Sequence, residues 1–383
     1  MSASDNVENF KLTEDVNKPN DVEDVDVDSL IDQFTQAKID SGPKYIINKP
    51  SAFVGENPNV LWRSVAIKVL NEHPQYQMGQ GIVHQRTPEW FELRKNRITG
   101  SQFANALGFF DKSSIKRLKL KPTKTYHHPE RVCIAYNEVL HYIPVESQII
   151  QPEDQSVQQV FMNWGTNHET NALLTYLKEF KDHTVCETSF KIIDDIKLYI
   201  EKNCNIEDFQ FVKNFDVLRI GASPDGIILE NGVERSVLEA KCPTPFVPDG
   251  KNEGMFRYLK RKPQDHVPVY YIPQIMAEMM VTGLPMCTYC SWTATCGMSV
   301  FEIDFNKEYV NEMLYWCYRY IEHIGEYLKE HSLTDAEVFQ GVFENEKRYQ
   351  TFLDMSLNIS ASARRICTVE KSVVGNQHSK MFL

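Results

Sequence analysis

The segment GASPDGIILENGVERSVLEAKC, residues 221–242, constrains this chain more than any other. Two apolar-rich runs meet at Asn231-Gly232, the residue pair that a two-residue hairpin turn favours because both central positions need positive φ. A hairpin closed there brings Asp225 back to the strand end that carries Glu239-Ala240-Lys241. Residues two apart in a strand share a face, so Glu239 and Lys241 project together and Ala240 points away. An isolated Glu-x-Lys is most often a surface cross-strand pair. Here Ser223-Pro224-Asp225-Gly226 stands at hairpin distance and Val237-Leu238 runs straight into the motif, which favours a partly dry convergence of two carboxylates and one ammonium.

That donor set suits a hard divalent cation such as Mg²⁺, which takes carboxylate and carbonyl oxygens and keeps several waters. A metal so held lowers the pKa of bound water and stabilises charge on an attacked phosphate, and a lysine beside it can orient or help deprotonate that water. Phosphodiester hydrolysis uses all three roles.

Elsewhere the pattern predicts helices before and after a run of strands. Thr87-Pro88-Glu89-Trp90 has a capping hydroxyl, a first-turn proline and a first-turn acid, opening a helix to about Asn96. Residues 101–108 read as a short helix ending at glycine. Residues 165–180 form a third helix, with Glu169, Ala172, Leu173, Tyr176 and Phe180 on one stripe, so an acid lies on the apolar side. Strands are expected over VCETSFKII, FVKNFDVLRIGA, GIILE and SVLEAKC. A helix at 268–283, strands at 287–294 and 298–304, and a helix at about 307–330 follow. The order predicts an α/β (α+β) core, a mixed central sheet flanked by helices.

The net charge of −11 and pI near 5.5 argue against a polycation of the histone kind. The charge is uneven, however. Residues 1–44 hold eleven acids against four lysines, and this composition predicts a disordered acidic tail. Residues 112–131 hold seven Lys/Arg against Glu130 alone, and 251–262 hold five against Glu253. Such runs are either solvated faces or phosphate tracks; Lys116, Arg117, Lys119 and Lys121 are the candidate contacts to a DNA backbone.

Nine cysteines at irregular spacing, with no leading charged-then-apolar signal, predict a reducing intracellular compartment. Residues 267–301 carry one charge, Glu278, but the prolines, Gln274 and that glutamate favour a buried helix and strand over a membrane span. Cys287-x2-Cys290-x5-Cys296, joined by a residue such as Cys133, imitates an iron-sulfur ligand set. In a strand Cys287 and Cys290 face opposite ways, so no cluster is expected. His127-His128 lack zinc spacing, Cys242 has no histidine partner in view, and Trp62, Trp90, Trp164, Trp292 and Trp316 read as core.

Four ordered blocks carry a family resemblance: WFELRKNRITGSQFANALG (90–108), WGTNHETNALLTYL (164–177), GASPDGIILE with LEAKCP (221–230, 238–243), and YYIPQIMAEMMVTG (270–283). Together they resemble the PD-(D/E)XK nuclease superfamily, and within it the lambda exonuclease and YqaJ-type viral recombinase group. The resemblance implies a restriction-endonuclease-like core over 85–330; the acidic tail, an accessory helical segment at 45–84 and a helical extension at 331–383 have no counterpart in the minimal fold, and a basic insertion at about 109–160 is longer than the family pattern expects. It implies Asp225 and Glu239 as metal-binding carboxylates, the Ala240 carbonyl as a further ligand and Glu169 completing the shell. Lys241 is implied as the catalytic lysine and Gln274 as the glutamine beside the nucleophilic water. Arg94 and Ser101 match the pair that grips a terminal 5′ phosphate, with Ser223 a further phosphate contact.

The implied activity is an Mg²⁺-dependent DNA exonuclease, with Mn²⁺ substituting, acting 5′ to 3′ on duplex ends in recombination or repair, inside the nucleus or cytoplasm of an infected host. A structure-specific endonuclease, acting even on RNA, and a DNA-end-binding module without turnover are the alternatives. A single-strand annealing protein and a homo-oligomeric ring are the implied partners.

Overall fold

The computed structural model describes residues 7–8, 10–11, 45–46, 68–79, 81–121, 157–248, 256–294, 296–327 and 342–370. Besides short strands at Val7–Glu8, Phe10–Lys11, Tyr45–Ile46, Phe246–Pro248 and Phe256–Leu259, its strands are β1 Tyr76–Gln77, β2 Ile98–Thr99, β3 His183–Cys186, β4 Lys191–Ile192, β5 Ile220–Ala222, β6 Gly226–Glu230, β7 Val233–Lys241, β8 Met286–Thr293, β9 Gly297–Asp304 and β10 Arg364–Val369. Seven of them form one sheet in the order β10-β9-β8-β7-β6-β3-β1. It is parallel at β7/β8 and at β1/β3 and antiparallel elsewhere. Strands β2, β5 and β4 make a separate small sheet.

The helices are α1 Pro88–Arg94, α2 Phe103–Ala106, α3 Lys112–Arg117, α4 Val157–Glu179, α5 Ile196–Asn203, α6 Ile272–Thr282, α7 Lys307–Tyr327 and α8 Lys347–Ser362. The expected mixed sheet flanked by helices is what the chain forms.

Strand β7 explains the layering. Val237 belongs to the larger apolar cluster with Met276, Ala277, Trp316 and Tyr349, whereas Leu238 and Ala240 belong to the other with Leu173, Tyr176 and Leu177. Alternation along the strand therefore sends 237 and 239 toward α6 and 238 and 240 toward α4. Both faces of the sheet are covered by helices, which is why its strands read as nearly continuous apolar runs. The same alternation puts Cys287 in the first cluster and Cys290 in the second, so the two thiols face apart as expected.

Local chemistry sets the boundaries near the site. Thr87 caps α1 by accepting from the Trp90 amide, and Pro88 occupies its first turn. Asn231 and Gly232 take φ of 54° and 79°, closing the β6–β7 hairpin with Val233 opposite Glu230. Helix α6 ends at Gly283, whose φ of 72° lets its amide reach the Met279 carbonyl.

Four stretches differ from expectation. Residues 211–222 contain a 3₁₀ turn at Phe215–Val217 and a strand only at 220–222, because the Asn214 side chain accepts from the Asp216 amide and curls the backbone. The expected strand over 185–193 is split into β3 and β4. Helix α5, capped by Asp195 and burying Ile196 and Ile200, was not anticipated. Within 331–383 the chain is not wholly helical, since β10 joins the main sheet beside β9.

The acidic stretch 1–44 lies outside the described residues except for Val7–Glu8, which pairs with Phe256–Leu259, and Phe10–Lys11, which pairs with Tyr45–Ile46. Most of the 45–84 segment including Trp62, the insertion beyond Lys121, His127-His128 and Cys133 also lie outside the described residues. Among the described residues no helix is long and apolar enough to cross a membrane.

Candidate active site

The hairpin does what its sequence requires. The Asp225 amide donates to the Leu238 carbonyl at 3.0 Å, and Asp225 Oδ2 accepts from the Ala240 amide at 2.8 Å. These two bonds anchor the carboxylate to β7 beside Glu239 and Lys241. Glu239 is 2% exposed and in contact with the Lys241 ammonium. Lys241 also lies 5.0 Å from the Tyr271 ring centroid, a cation–π approach.

From α6, Gln274 Nε2 donates to Glu239 Oε1 at 2.6 Å and to Glu278 Oε1 at 2.8 Å. From α4, Glu169 accepts from Arg86 Nη2 through both oxygens, at 3.1 and 3.3 Å.

The electrostatics are those of crowded acids. Burial, then Glu239 and Glu169, push the Asp225 carboxyl well above the usual carboxylate range. Burial and Glu239 do the same to Glu278. Burial opposes charge on Lys241, but Glu239, Tyr271 and Asp225 outweigh it and hold the ammonium well above its ordinary value. Lys241 is therefore a fixed positive charge and donor in this cluster.

Among the described residues no three His, Cys, Asp or Glu side chains already stand as a metal-holding shell. Glu169 is drawn to Arg86 and Glu239 to Lys241. The donor set still fits a divalent cation on charge. Among the described residues the cations beside Asp225, Glu239, Glu169 and Glu278 are Lys241 and Arg86, so full ionisation of the four acids leaves two negative charges to be neutralised. Hard carboxylate oxygens are the ligands Mg²⁺ or Mn²⁺ would use.

The second group of predicted residues surrounds Trp90. The Arg94 guanidinium lies 4.1 Å from the Trp90 ring centroid and donates to Thr99 Oγ1 at 3.1 Å. On the same indole, Nε1 donates to Ser223 Oγ at 3.3 Å. One tryptophan thus carries both Arg94 and Ser223, and Ser223 is two residues from Asp225. Ser101 is exposed in the 3₁₀ turn Gly100–Gln102 that follows Thr99.

Of the basic run, Lys116, Lys119 and Lys121 are exposed. Arg117 instead forms a fork on Asp354 and bonds the Gln350 carbonyl, tying α3 to α8.

A family model described as the YqaJ-like viral recombinase domain matches residues 89–285, just over half of the chain. The chain belongs to this family. The YqaJ-like match contains all four resemblance blocks, and it includes Asp225, Glu239, Lys241 and Gln274. No curated protein matches the chain. Among solved structures, the chain is similar to an alkaline exonuclease from Laribacter hongkongensis, at 18% identity and a TM-score of 0.35, over 63% of this chain and 96% of that one. The complex of that exonuclease with dAMP gives 19% identity over the same shares, again with a TM-score of 0.35.

Two members of the site were missed from sequence. Arg86 precedes the YqaJ-like match and takes φ of 68°, unusual for a side chain other than glycine. Its neighbour Gln85 donates to the Pro224 carbonyl at 3.1 Å, so this segment is fastened to both Glu169 and the Asp225 turn. Glu278 was visible only as the lone charge in 267–301; its spacing of four from Gln274 was the available signal.

Proposed function

We propose that the chain is a divalent-metal-dependent DNA exonuclease that hydrolyses phosphodiester bonds from duplex ends in the 5′-to-3′ direction, with Mg²⁺ as the working ion and Mn²⁺ able to substitute. The observation that carries this reading is the meeting of Asp225, Glu239, Lys241 and Gln274 at the rim of the β6–β7 hairpin.

Asp225, Glu239, the Ala240 carbonyl and Glu169 would hold the cation. When bound, that cation supplies a water of lowered pKa and a positive charge for the attacked phosphate. The chain's own groups then have distinct tasks. Lys241, held as an ammonium, orients the water and stabilises charge on the phosphate. Gln274 gives both amide hydrogens to acids, which leaves its carbonyl oxygen as the acceptor for the attacking water. Arg94, Ser101 and Ser223 would seat the terminal 5′ phosphate, and the guanidinium fork favours a doubly hydrogen-bonded phosphate. The exposed Lys116, Lys119 and Lys121 would contact the duplex backbone.

The same reading carries a closed ring of copies around the duplex and a single-strand annealing partner as its assembly expectations, which sedimentation of the protein alone and with duplex tests directly.

The deciding experiment compares linear 5′-phosphorylated duplex with closed circular duplex, in Mg²⁺ and in EDTA. Release of nucleotides from the linear form only, and only with metal, is expected. Circles degraded at the linear rate would sink the dependence on ends and favour an endonuclease. Lys241→Met is expected to abolish hydrolysis while leaving duplex affinity intact; a wild-type protein that binds ends and never cleaves them would make the chain a binding module.

A further inference from the structure

We infer that Glu278 is a positioning residue of this site: it fixes the amide of Gln274 so that the nitrogen faces Glu239 and the carbonyl is left for the attacking water. The inference rests on the nuclease reading above.

Gln274 and Glu278 are four apart on α6 and so lie on one helical face. The single nitrogen Nε2 stands 2.6 Å from Glu239 Oε1 and 2.8 Å from Glu278 Oε1. An amide nitrogen has two hydrogens, and here each has its own carboxylate acceptor. Two acceptors on one side leave only one orientation of the amide that satisfies both. With Glu239 as the sole acceptor, the second hydrogen would be unmatched and the amide free to turn.

Packing alone gives no reason for an acid here. Glu278 is 1% exposed, and its neighbours Ile275, Met276, Ala277, Met279 and Met280 are all buried and apolar. Its Oε2 has no hydrogen-bond partner among the described residues, an unfavourable state that an apolar side chain at this position would avoid. The surroundings are also built around the pair. Gly100 is buried, and a Cβ there would lie 3.3 Å from Gln274 Cγ and 3.6 Å from Glu278 Oε1. The glycine that opens the turn bearing Ser101 therefore lets that turn close against the Gln274–Glu278 pair.

The test uses the full chain with Mg²⁺ and a 5′-phosphorylated duplex, measuring kcat, KM, duplex affinity in EDTA and urea unfolding. Glu278→Gln keeps an acceptor oxygen for Gln274 and is expected within about threefold of wild-type kcat. Glu278→Met, close in size, is expected to lower kcat by about 10- to 100-fold with KM and duplex affinity unchanged. In a Gln274→Ala background it is expected to lower kcat no further, since the group it positions is gone.

Independent, multiplying losses would overturn the inference, as would equal losses for Glu278→Gln and Glu278→Met, or a Glu278→Met enzyme at wild-type rate. Should Glu278→Met unfold, Glu278→Ala takes its place in the same cycle. A wild-type protein that hydrolyses nothing would defeat the nuclease reading itself, a result distinct from any of these.

Discussion

Replacing Arg94 by alanine separates end recognition from chemistry. Its guanidinium stacks on Trp90 and donates to Thr99, while the acidic cluster is held by its own bonds from the Ala240 amide and Gln274, so removal of Arg94 leaves that cluster in place. A hydrogen bond to a charged group is worth about 1.5–3 kcal/mol. At about 1.4 kcal/mol per decade, loss of the phosphate contact should reduce kcat/KM on 5′-phosphorylated ends roughly 10- to 150-fold. Ends with a 5′ hydroxyl never used that contact, and their kcat/KM should change little. The quantity to measure is the ratio of kcat/KM on the two ends, because any loss of folded protein from uncovering Trp90 affects both equally and cancels. Arg94→Lys keeps the charge but loses the planar fork and much of the stacking, so its ratio should fall between wild type and alanine. If Arg94→Ala lowers both ends by the same factor, or the wild-type ratio is already one, Arg94 does not seat the phosphate and the Trp90 platform has another purpose.

Two further outcomes follow from other residues. Arg86→Gly should be accepted by the backbone, whose φ of 68° suits glycine, and should tighten Mn²⁺ binding severalfold in calorimetry by releasing Glu169 from its guanidinium; unchanged or weaker binding would remove Glu169 from the metal shell. His183 is held below the ordinary histidine value by burial and then by Arg235, while its ring accepts or donates at 2.6 Å with the Tyr176 hydroxyl. The neutral ring stabilises the fold above the unfolded value near 6.5, and that contribution is lost as pH falls through the folded value. The stability difference between wild type and His183→Phe should therefore shrink as pH drops below about 6.5; parallel stability curves would show that His183 does not titrate with folding.

What could be read from sequence was what local backbone chemistry decides. Asn231-Gly232 specified the hairpin because few residues tolerate two consecutive positive φ values, and the period of two then put Glu239 and Lys241 on one face. Thr87-Pro88 specified the start of α1 in the same local way. Residues 211–222 failed because their apolar content resembled a strand while Asn214 supplied a competing turn. Strand β10 was missed because RRICTV has an edge-strand pattern that only the neighbouring β9 makes decisive. Helix α5 had its Asp195 cap and its Ile196–Ile200 spacing in plain view, but eight residues between strands gave little periodicity to weigh. At the site, Arg86 meets Glu169 across 83 positions, and Glu278 meets Glu239 only through Gln274. No spacing rule reaches contacts of that kind.

The arrangement of charge explains why the two phosphate positions should respond to different perturbations. Both cations inside the acidic cluster are already matched, Lys241 by Glu239 and Arg86 by Glu169. Burial and mutual repulsion already oppose charge on Asp225 and Glu278, and a phosphate approaching this buried group of acids would add a further like charge to it. At the Trp90 seat the chain itself supplies a permanent positive charge, Arg94, stacked on the indole and bonded to Thr99. On the nuclease reading, capture of a 5′ phosphate therefore persists in EDTA, whereas engagement of the phosphodiester beside Asp225 waits for a divalent cation. A chain with a net charge of −11 can then hold a polyanion by its end first and admit the next phosphate to its most acidic pocket only when the ion accompanies it.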